Sequence, residues 1–361
     1  MVDRTANNKI LVIDRGDPDF GEAFLDACRS IGFVAITGHG FRPGLFEDVR
    51  AMLNDLFAVD EATKQAGAIT KDNCRGFIPL GFFTPNREEA NGITPDLYEG
   101  YKLHWECPTG HPALAETHLY GPNRWIDAVP QMQPLIAEYW AACDQLAARL
   151  LDVCASALAI DATTMRSWHQ APLTDMTLLH YPAQTATNEA TGIHPHKDTN
   201  VITFLHPDPV GGLEVSGRGD CGEDAWIDVA CPPDALLVNI GEMLELWSGG
   251  ELVATPHRVV NRSGQERYSF PYFVVPNHAV TVEPLVPCVD GFKRAPMPVG
   301  ELSAEVWRTN WADEAPSSAG YDLGYRSCWS NASAASVATS PRSGSRASPG
   351  TATRRRSTAK A

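Results

Sequence analysis

Apolar residues recur at two different spacings along the chain, and the change of spacing divides the chain into two parts. Hydrophobic side chains return every three or four positions over residues 19–31, 43–58 and 130–160. A period near 3.6 residues is typical of amphipathic helices, so the first part is predicted to be largely helical. The stretch 70–125 lacks a clear period and is rich in Gly, Pro and Asn, which favours loops folded over the mouth of a cavity.

Short apolar runs replace the helical period from Leu173 onward. Gly, Pro and Asp turns separate these runs as far as Leu285, which predicts about eight strands in two facing sheets, a jelly roll. We therefore expect a mainly β fold with flanking helices (α+β). In it, a helical part (about 1–170) buttresses a distorted double-stranded β-helix (about 171–285). Both parts are predicted to form a single domain over residues 1–324.

Composition narrows the class of protein. The 361 residues contain no apolar run long enough to span a bilayer, and the N-terminus lacks a charged-then-apolar signal pattern. Nine scattered cysteines show no spacing typical of a metal site or a disulfide framework. We therefore expect a cytoplasmic protein with reduced thiols and no membrane partner.

Charge is distributed unevenly along the chain. The formal net charge is −15, yet residues 325–361 carry seven basic residues and no acidic one, which leaves 22 basic against 44 acidic residues over 1–324. An acidic body disfavours nucleic acid as a partner. The tail is rich in Ser, Ala, Thr and Arg, so it is predicted to be a disordered basic segment.

The chemistry-bearing residues begin with a His-Lys-Asp triplet, His196 to Asp198, followed 59 residues later by His257. Residues i and i+2 of a strand point to one face, so His196 and Asp198 can grip a single ion if this segment is extended. Two imidazoles and one carboxylate form the facial set that binds non-haem Fe(II) and leaves positions open. His194 shares that face, but pairing it with His196 leaves Asp198 at the wrong spacing, so His194 is interpreted as a pocket neighbour and not a ligand.

A second pair of polar residues follows the last of these histidines. Arg267 and Ser269 occupy positions i and i+2 of another β-prone stretch, so both side chains are expected on one face. A guanidinium fork beside a hydroxyl suits a carboxylate. Together the two sets predict an iron site beside an acid-binding site.

The chain resembles the isopenicillin N synthase-like family of Fe(II)/2-oxoglutarate dioxygenases, and the resemblance runs from about residue 9 to about residue 324. Besides the metal and acid-binding residues, several segments are similar to landmarks of that family. These are ILVID (10–14), ACRSIGFVAITGHG (27–40), RGFIPLG (75–81), YGPNRW (120–125), HYP (180–182), GGLEV (211–215), LVNIGEMLELWS (237–248) and HRVVN (257–261).

The resemblance implies a set of cofactors and roles. The metal is expected to be Fe(II), held by His196, Asp198 and His257, and O2 and 2-oxoglutarate are expected to be consumed with release of succinate and CO2. The far carboxylate of 2-oxoglutarate is expected to bind Arg267 and Ser269.

Other roles follow from the same resemblance with less support in the residues. Tyr181 matches a family tyrosine that contacts the co-substrate, although this chain has Leu179 where the family frequently has Asn. Arg75, Tyr101 and Lys102 lie in regions that line substrate pockets in relatives, and His194 is placed with them. Surface charge or loop packing is an equally good interpretation of these residues.

The expected substrate is a small molecule, namely an amino-acid-derived or other natural-product intermediate that is hydroxylated, desaturated or cyclised. No obligate protein partner is implied. One alternative is an isopenicillin N synthase-type or aminocyclopropane-carboxylate-oxidase-type enzyme that does not use 2-oxoglutarate. An alternative of another class is a catalytically silent jelly-roll binding protein.

Overall fold

The structure, a computed structural model, describes residues 10–83, 95–184, 191–218 and 224–308. Helices predominate before residue 170 and strands after it. The helices are α1 (Phe20–Ser30), α2 (Leu45–Phe57), α3 (Glu61–Ala66), α4 (Met132–Ala157), α5 (Ala162–Ser167), α6 (Glu242–Trp247) and α7 (Val299–Arg308), with a short 3-10 helix at Pro112–Ala115. The strands are β1 (Leu11–Asp14), β2 (Phe33–Thr37), β3 (Gly76–Ile78), β4 (Glu99–His104), β5 (Asp175–Tyr181), β6 (Ile193–His196), β7 (Ile202–Leu205), β8 (Leu213–Arg218), β9 (Asp224–Asp228), β10 (Leu236–Ile240), β11 (His257–Val259), β12 (Arg267–Ser269), β13 (Tyr272–Val274), β14 (Thr281–Val282) and β15 (Met297–Pro298).

The three helices predicted from the apolar period are confirmed as α1, α2 and α4. In α4 the buried side chains include Met132, Ile136, Tyr139 and Cys143, which recur at the spacing that places them on one helix face. Helix α2 likewise buries seven of its thirteen residues. These faces pack on a sheet, because an amphipathic helix needs an apolar partner to exclude water.

A nine-stranded sheet forms the middle layer of the molecule. Its strands run in the order β1-β2-β10-β7-β13-β5-β4-β3, and β12 also pairs with β5. Strands β1 and β2 are parallel, whereas the other pairs are antiparallel. One face of this sheet joins the helices in a large apolar core. The sheet therefore carries the helical layer on one side and leaves its other face for the site.

A four-stranded sheet, in the order β6-β11-β8-β9, covers that other face. A second core fills the space between the two sheets, with Phe33, Leu179 and Leu237 from the large sheet and Val215 and Val259 from the small one. Two antiparallel sheets enclosing a shared core are the jelly roll that the strand pattern predicted.

Three details differ from the sequence-based expectation. The stretch 70–125 is not only loop, because β3 and β4 lie in it and β4 pairs with β5 over six residues. The helical part also contributes β1 to β4 to the large sheet, so it does more than buttress the core. Nine strands, β5 to β13, replace the expected eight because Pro271, which has no N–H to donate, separates β12 from β13.

Two expectations concern other parts of the chain. No helix among the described residues has both the length and the apolarity that crossing a membrane requires. The predicted basic tail, 325–361, lies outside the described residues, which end at 308.

Candidate active site

The structure brings His196, Asp198 and His257 together. One potential ligand atom from each lies within 4.8 Å of the others. The Nε2 atoms of both histidines are 3.6 Å from Oδ1 of Asp198. All three side chains are largely buried, so the three atoms converge on a space shielded from bulk water.

The two strands that carry the histidines are neighbours in the small sheet. His196 is the last residue of β6 and is paired across the ladder with His257, the first residue of β11. Strand β6 therefore ends two residues before Asp198, sooner than the spacing argument assumed. Asp198 nevertheless reaches the same space, as the distances from its Oδ1 to both histidines show.

In each triad side chain, one polar atom is also hydrogen-bonded to another residue of the protein. Nδ1 of His196 donates to the carbonyl of His194 at 2.8 Å, and Nδ1 of His257 donates to the carbonyl of Thr255 at 3.2 Å. These contacts leave both Nε2 atoms as acceptors toward the shared space.

The carboxylate is divided in the same way. Oδ2 of Asp198 accepts from Thr203 Oγ1 at 2.6 Å and from Asn239 Nδ2 at 2.8 Å. Asn200 in turn donates to Thr203 at 2.8 Å, which fixes the direction of that hydroxyl. Thr203 and Asn239 both bond Oδ2, so Oδ1 is left to face the two histidines.

The protonation states suit metal binding. Burial lowers the pKa of His257 to about 4, so this imidazole is neutral at pH 7. Burial opposes ionisation of Asp198, but the neighbouring histidines outweigh it and hold the pKa of that carboxyl below its ordinary value. Burial lowers the pKa of His196 and its hydrogen bond to Asp198 more than compensates, so its net shift is upward. A cation in the shared space would compete with a proton for Nε2 of His196.

Arg267, Ser269 and Tyr181 come together on neighbouring strands. Arg267 pairs with Tyr181 and Ser269 pairs with Leu179 in the β12–β5 ladder. Arg267 is 2% exposed; its Nε donates to the carbonyl of Gly211 at 2.8 Å, and its guanidinium lies 4.7 Å above the Tyr181 ring. Its Nη1 is buried and has no hydrogen-bond partner.

That unpartnered nitrogen tests whether a carboxylate fits. A buried guanidinium donor without an acceptor costs free energy, and a carboxylate satisfies it better than any neutral group. Leu179 adds no polar contact at the position where the family often has Asn. Burial raises the pKa of Tyr181 to about 12, so it stays neutral and presents a ring and a hydroxyl.

His194 is the second residue of β6, and its carbonyl accepts from Nδ1 of the triad residue His196. Its Nδ1 is 2.5 Å from Oδ1 of Asp96, which also accepts from the His194 backbone N–H at 2.9 Å. Both side chains are buried. Asp96 was not anticipated, because nothing in its sequence context distinguishes it from a loop aspartate.

Lys102 faces the same interior space from β4. Its ammonium donates to Asp175 and, at 2.9 Å, to Thr177, and it lies 5.4 Å from the Phe273 ring and 5.6 Å from the Trp307 ring. Asp175 pairs with Phe273, which pairs with Thr203, the residue whose hydroxyl bonds Asp198, so this ion pair lies in the same row of the large sheet as a partner of the triad.

Arg75 and Tyr101 differ in their relation to the site. Arg75 is 1% exposed and bonds the carbonyls of Asn73 and Leu119, both at 2.9 Å. Tyr101 points away from the interior, packs in the helix-side core against Phe77 and donates to the carbonyl of Arg124 at 2.7 Å. Alternation along β4 puts Lys102 on the face of the sheet toward the triad and Tyr101 on the helix side. Tyr101 therefore does not line the space that the triad faces, contrary to the expectation that it lines a substrate pocket.

Two supporting residues had a signal in the sequence that could have been used. Asn239 interrupts the apolar run LLVNI of β10, and Thr203 interrupts ITFL of β7. A polar residue inside a buried strand must find a partner, and here the partner of both is Asp198. Asp175 had no such signal because it begins its strand.

Comparisons with known proteins identify the family of the chain. Residues 173–276 match the model of the 2OG-Fe(II) oxygenase superfamily, and residues 10–128 match that of the non-haem dioxygenase in morphine synthesis N-terminal region. A 2-oxoglutarate-Fe(II) type oxidoreductase of Aspergillus fumigatus is 30% identical over 288 residues, 78% of this chain and 82% of the relative. The 2-oxoglutarate-dependent dioxygenase citB of Monascus ruber is 30% identical over 269 residues, 72% of this chain and 79% of the relative.

A solved structure supports the fold. The crystal structure of a Neurospora crassa protein, in complex with alpha-KG and thymine, superposes with a TM-score of 0.69 over 84% of this chain and 97% of that protein, at 23% identity. The chain belongs to the 2OG-Fe(II) oxygenase superfamily. It is a 2-oxoglutarate-dependent dioxygenase that acts on a small molecule, and its cofactors are Fe(II), 2-oxoglutarate and O2.

Proposed function

We propose that His196, Asp198 and His257 bind one Fe(II) ion and that Arg267 with Ser269 binds the far carboxylate of 2-oxoglutarate. The observation that carries this assignment is the hydrogen bonding of each triad side chain. One polar atom faces the shared space, and the other is bonded to the protein. The buried, unpartnered Nη1 of Arg267 supports the second half.

The bound iron supplies the oxidation of a substrate C–H bond, coupled to conversion of 2-oxoglutarate to succinate and CO2. The protein residues orient the reactants and exclude water. Arg267 neutralises the far carboxylate, and Tyr181 provides a wall beside it. Leu179 and Val215, in the core between the sheets, keep the space apolar. A low-dielectric surrounding strengthens each of these charge contacts.

The substrate is proposed to be an amino-acid-derived or other natural-product intermediate that is hydroxylated, desaturated or cyclised. An overall charge of −15 disfavours nucleic acid, and a cytoplasmic location is proposed with it. The relatives' names favour 2-oxoglutarate over a carboxylate of the isopenicillin N synthase type. A complete triad argues against a silent binding protein.

The test is formation of labelled succinate from labelled 2-oxoglutarate by purified protein with Fe(II) and O2. His257→Ala should abolish both iron binding and succinate formation, while His169→Gln, a change at a half-buried histidine bonded to Met165, should leave both intact. An active, iron-loaded His257→Ala protein would overturn the metal assignment. Iron binding without any succinate would favour the non-2-oxoglutarate or silent alternatives.

A further inference from the structure

Arg75 and Arg267 are the buried arginines of the described chain, and they share an unusual environment. Each bonds backbone carbonyls and has no carboxylate within ion-pair distance among the described residues. Each also keeps one buried nitrogen without a partner, Nε in Arg75 and Nη1 in Arg267. For Arg267 this environment is explained by the acid that it is proposed to bind. Arg75 has no such explanation yet.

The surroundings of Arg75 are polar and positively charged. His104 ends β4, the strand that pairs with β3. Its Nε2 donates to the carbonyl of Cys74 at 3.1 Å, and its buried Nδ1 has no partner. Burial and the nearby cations Arg75 and Lys102 keep the pKa of His104 well below its ordinary value, so it is neutral. Burial lowers the pKa of Arg75 only to about 10, so Arg75 remains a cation at pH 7.

Lys102 and Asp175 complete this corner. They are paired to one another, and the exposed Glu106 offsets the charge of Arg75 only at a distance, without an ion pair. The metal site with its co-substrate is already balanced, since the charges of Fe(II) and Arg267 match those of Asp198 and the two carboxylates of 2-oxoglutarate. Among the described residues, Arg75 is a buried charge with no carboxylate in direct contact, and such a charge is costly.

The corner and the proposed co-substrate site lie at opposite ends of β5. Tyr181, beside Arg267, and Asp175, beside Lys102, are six residues apart on one strand face, or roughly 20 Å. One molecule of 2-oxoglutarate is too short to reach both. Asp175 is nevertheless near the triad: it pairs with Phe273, which pairs with Thr203, and the Thr203 hydroxyl bonds Asp198, so two strand spacings, roughly 10 Å, separate Asp175 from Thr203. A second small molecule in this corner would lie next to the metal.

We propose that the corner formed by Arg75, Lys102, His104 and Asp175 is the substrate's anion subsite, and that the substrate carries a carboxylate. The rings of Phe273 and Trp307, which flank the Lys102 ammonium, provide apolar walls for the rest of the molecule. The unpartnered nitrogens of Arg75 and His104 supply one donor and one acceptor, which a carboxylate and a neighbouring hydroxyl or amine would satisfy. This inference rests on the proposed function, because it assigns the substrate of the same site.

The probes are phenylacetate and hexanoate, each compared with its primary amide. Affinity is measured by calorimetry on protein loaded with Zn(II), which does not change its oxidation state, and saturated with 2-oxoglutarate so that Arg267 is occupied. The wild type should bind at least one acid about tenfold or more tightly than its amide, the scale of one charge-assisted contact. If no acid is preferred over its amide, the inference is wrong.

Two variants of the ion pair act in opposite directions. Lys102→Met should weaken acid binding by about tenfold or more and leave amide binding unchanged, whereas Asp175→Asn should strengthen acid binding because it removes the competing carboxylate. Equal losses in both variants would show a merely structural ion pair and overturn the inference. If Lys102→Met leaves the affinity for acids unchanged, the acid binds by simple ligation of the metal, and this result would also overturn the inference.

Arg75 is tested by a conservative pair. Arg75→Lys keeps the charge and should retain the preference for acids, while Arg75→Gln should lose it. Both variants release the carbonyls of Asn73 and Leu119, so the Lys102 and Asp175 variants decide the question if neither Arg75 variant folds. Succinate formation by the iron-loaded wild type without any probe tests the proposed function independently of this subsite.

Discussion

The two carboxylate oxygens of Asp198 have different surroundings. One oxygen is bonded to Thr203 and Asn239, and the other is directed at the two histidines. The side chain therefore cannot rotate without breaking two buried hydrogen bonds. Metal ligands held by such partners are pre-organised, so less free energy is spent on ordering them when the ion arrives.

Asn239→Leu is expected to weaken metal binding without preventing folding. The change removes one donor to Oδ2 of Asp198 and leaves the triad itself intact, and the loss of such an outer partner typically lowers metal affinity by about 10–100-fold. The affinity for Co(II), followed by its absorption, measures this. Asn277→Leu is the matched control, because that amide bonds Ala171 and Ser167 away from the site. Equal Co(II) affinities in wild type and Asn239→Leu would contradict the assigned role.

Arg267→Leu is expected to raise the apparent Kd for 2-oxoglutarate by about a hundredfold or more. Without the guanidinium, the far carboxylate would be buried with no counter-charge, at a cost of about 3–5 kcal/mol. Ser269→Ala should cost only about 1 kcal/mol, the scale of one hydrogen bond.

The concentration dependence of succinate formation measures both effects. Arg262→Leu is the control, since Arg262 is an exposed residue paired with Glu214. An unchanged 2-oxoglutarate requirement in Arg267→Leu would mean that this residue serves another carboxylate.

At the scale of elements, helix α6 and the loop after β6 act as one unit. Backbone N–H groups of Gly241, Glu242 and Met243 donate to the carbonyls of Val201, Asp198 and Asn200, at 2.8–3.0 Å. Side chains reinforce the contact, as Lys197 pairs with Glu245 at 3.2 Å. Arg294 bridges Glu242 and Glu245 from the far side. Asp198 is thus anchored to a helix as well as to a strand.

Gly241→Ala is expected to disturb this unit. A Cβ at position 241 would lie 2.0 Å from Oδ1 and 2.3 Å from the backbone oxygen of Asn200, so the loop that carries Asp198 would have to move. We expect a lower Tm and weaker Co(II) binding, because overpacking typically costs about 1–3 kcal/mol.

Gly21→Ala is the matched control for this change. Its Cβ would meet the Val153 methyl groups at 3.6–3.7 Å, an ordinary contact within a helix. If the two alanine variants bind Co(II) equally well, the loop does not depend on its fit against Gly241.

Elements differ in how far the sequence predicts them. The periods of α1, α2 and α4 are strong because each helix has one apolar and one polar face. Strand β4 was missed because both of its faces are buried, one by the helix-side core and one by the site, so no alternation marks it. The same difficulty applies to Tyr101 and Lys102, which lie on opposite faces of β4, because those faces depend on a register with β5 that only the folded sheet defines.

The site itself was more predictable than its surroundings. Coordination chemistry restricts the residue types and the local spacing of His196, Asp198, Arg267 and Ser269, so the motif can be found in the sequence. Asp96 and Asp175 have no such restriction. Their roles come from neighbours, His194 and Lys102, that are far away in sequence and meet them only in the folded chain.

At the scale of the molecule, histidines whose rings are shielded from water link stability to pH. Burial of its ring lowers the pKa of His169 to about 4, below its unfolded value of about 6.5. The unfolded chain therefore binds more protons between these values, and stability present above about pH 6.5 is lost as the pH falls toward about 4. For His169 alone the loss between pH 7 and pH 5 is about 2 kcal/mol.

His169→Gln should therefore flatten the pH dependence of stability. Urea unfolding of the metal-free protein at pH 7, 6 and 5 measures the free energy of unfolding, and the variant should lose about 2 kcal/mol less than wild type over this range. His118→Gln, at an exposed position, should follow the wild-type curve. A variant at 169 that loses as much stability as wild type would show that the fold does not hold this histidine in its neutral form.

The pairing of β2 with β10 has a consequence for how the chain is made. Ile36 lies opposite Leu236, so the two strands are 200 residues apart in sequence. At about 5–20 residues per second on the ribosome, β10 is synthesised roughly 10–40 s after β2. During that time the backbone groups of β2 that later pair with β10 are free to pair with another strand. Long-range closure of this kind also slows refolding. The central sheet, and with it the hydrogen bond from Asn239 of β10 to Asp198, can therefore form only after most of the chain has been synthesised.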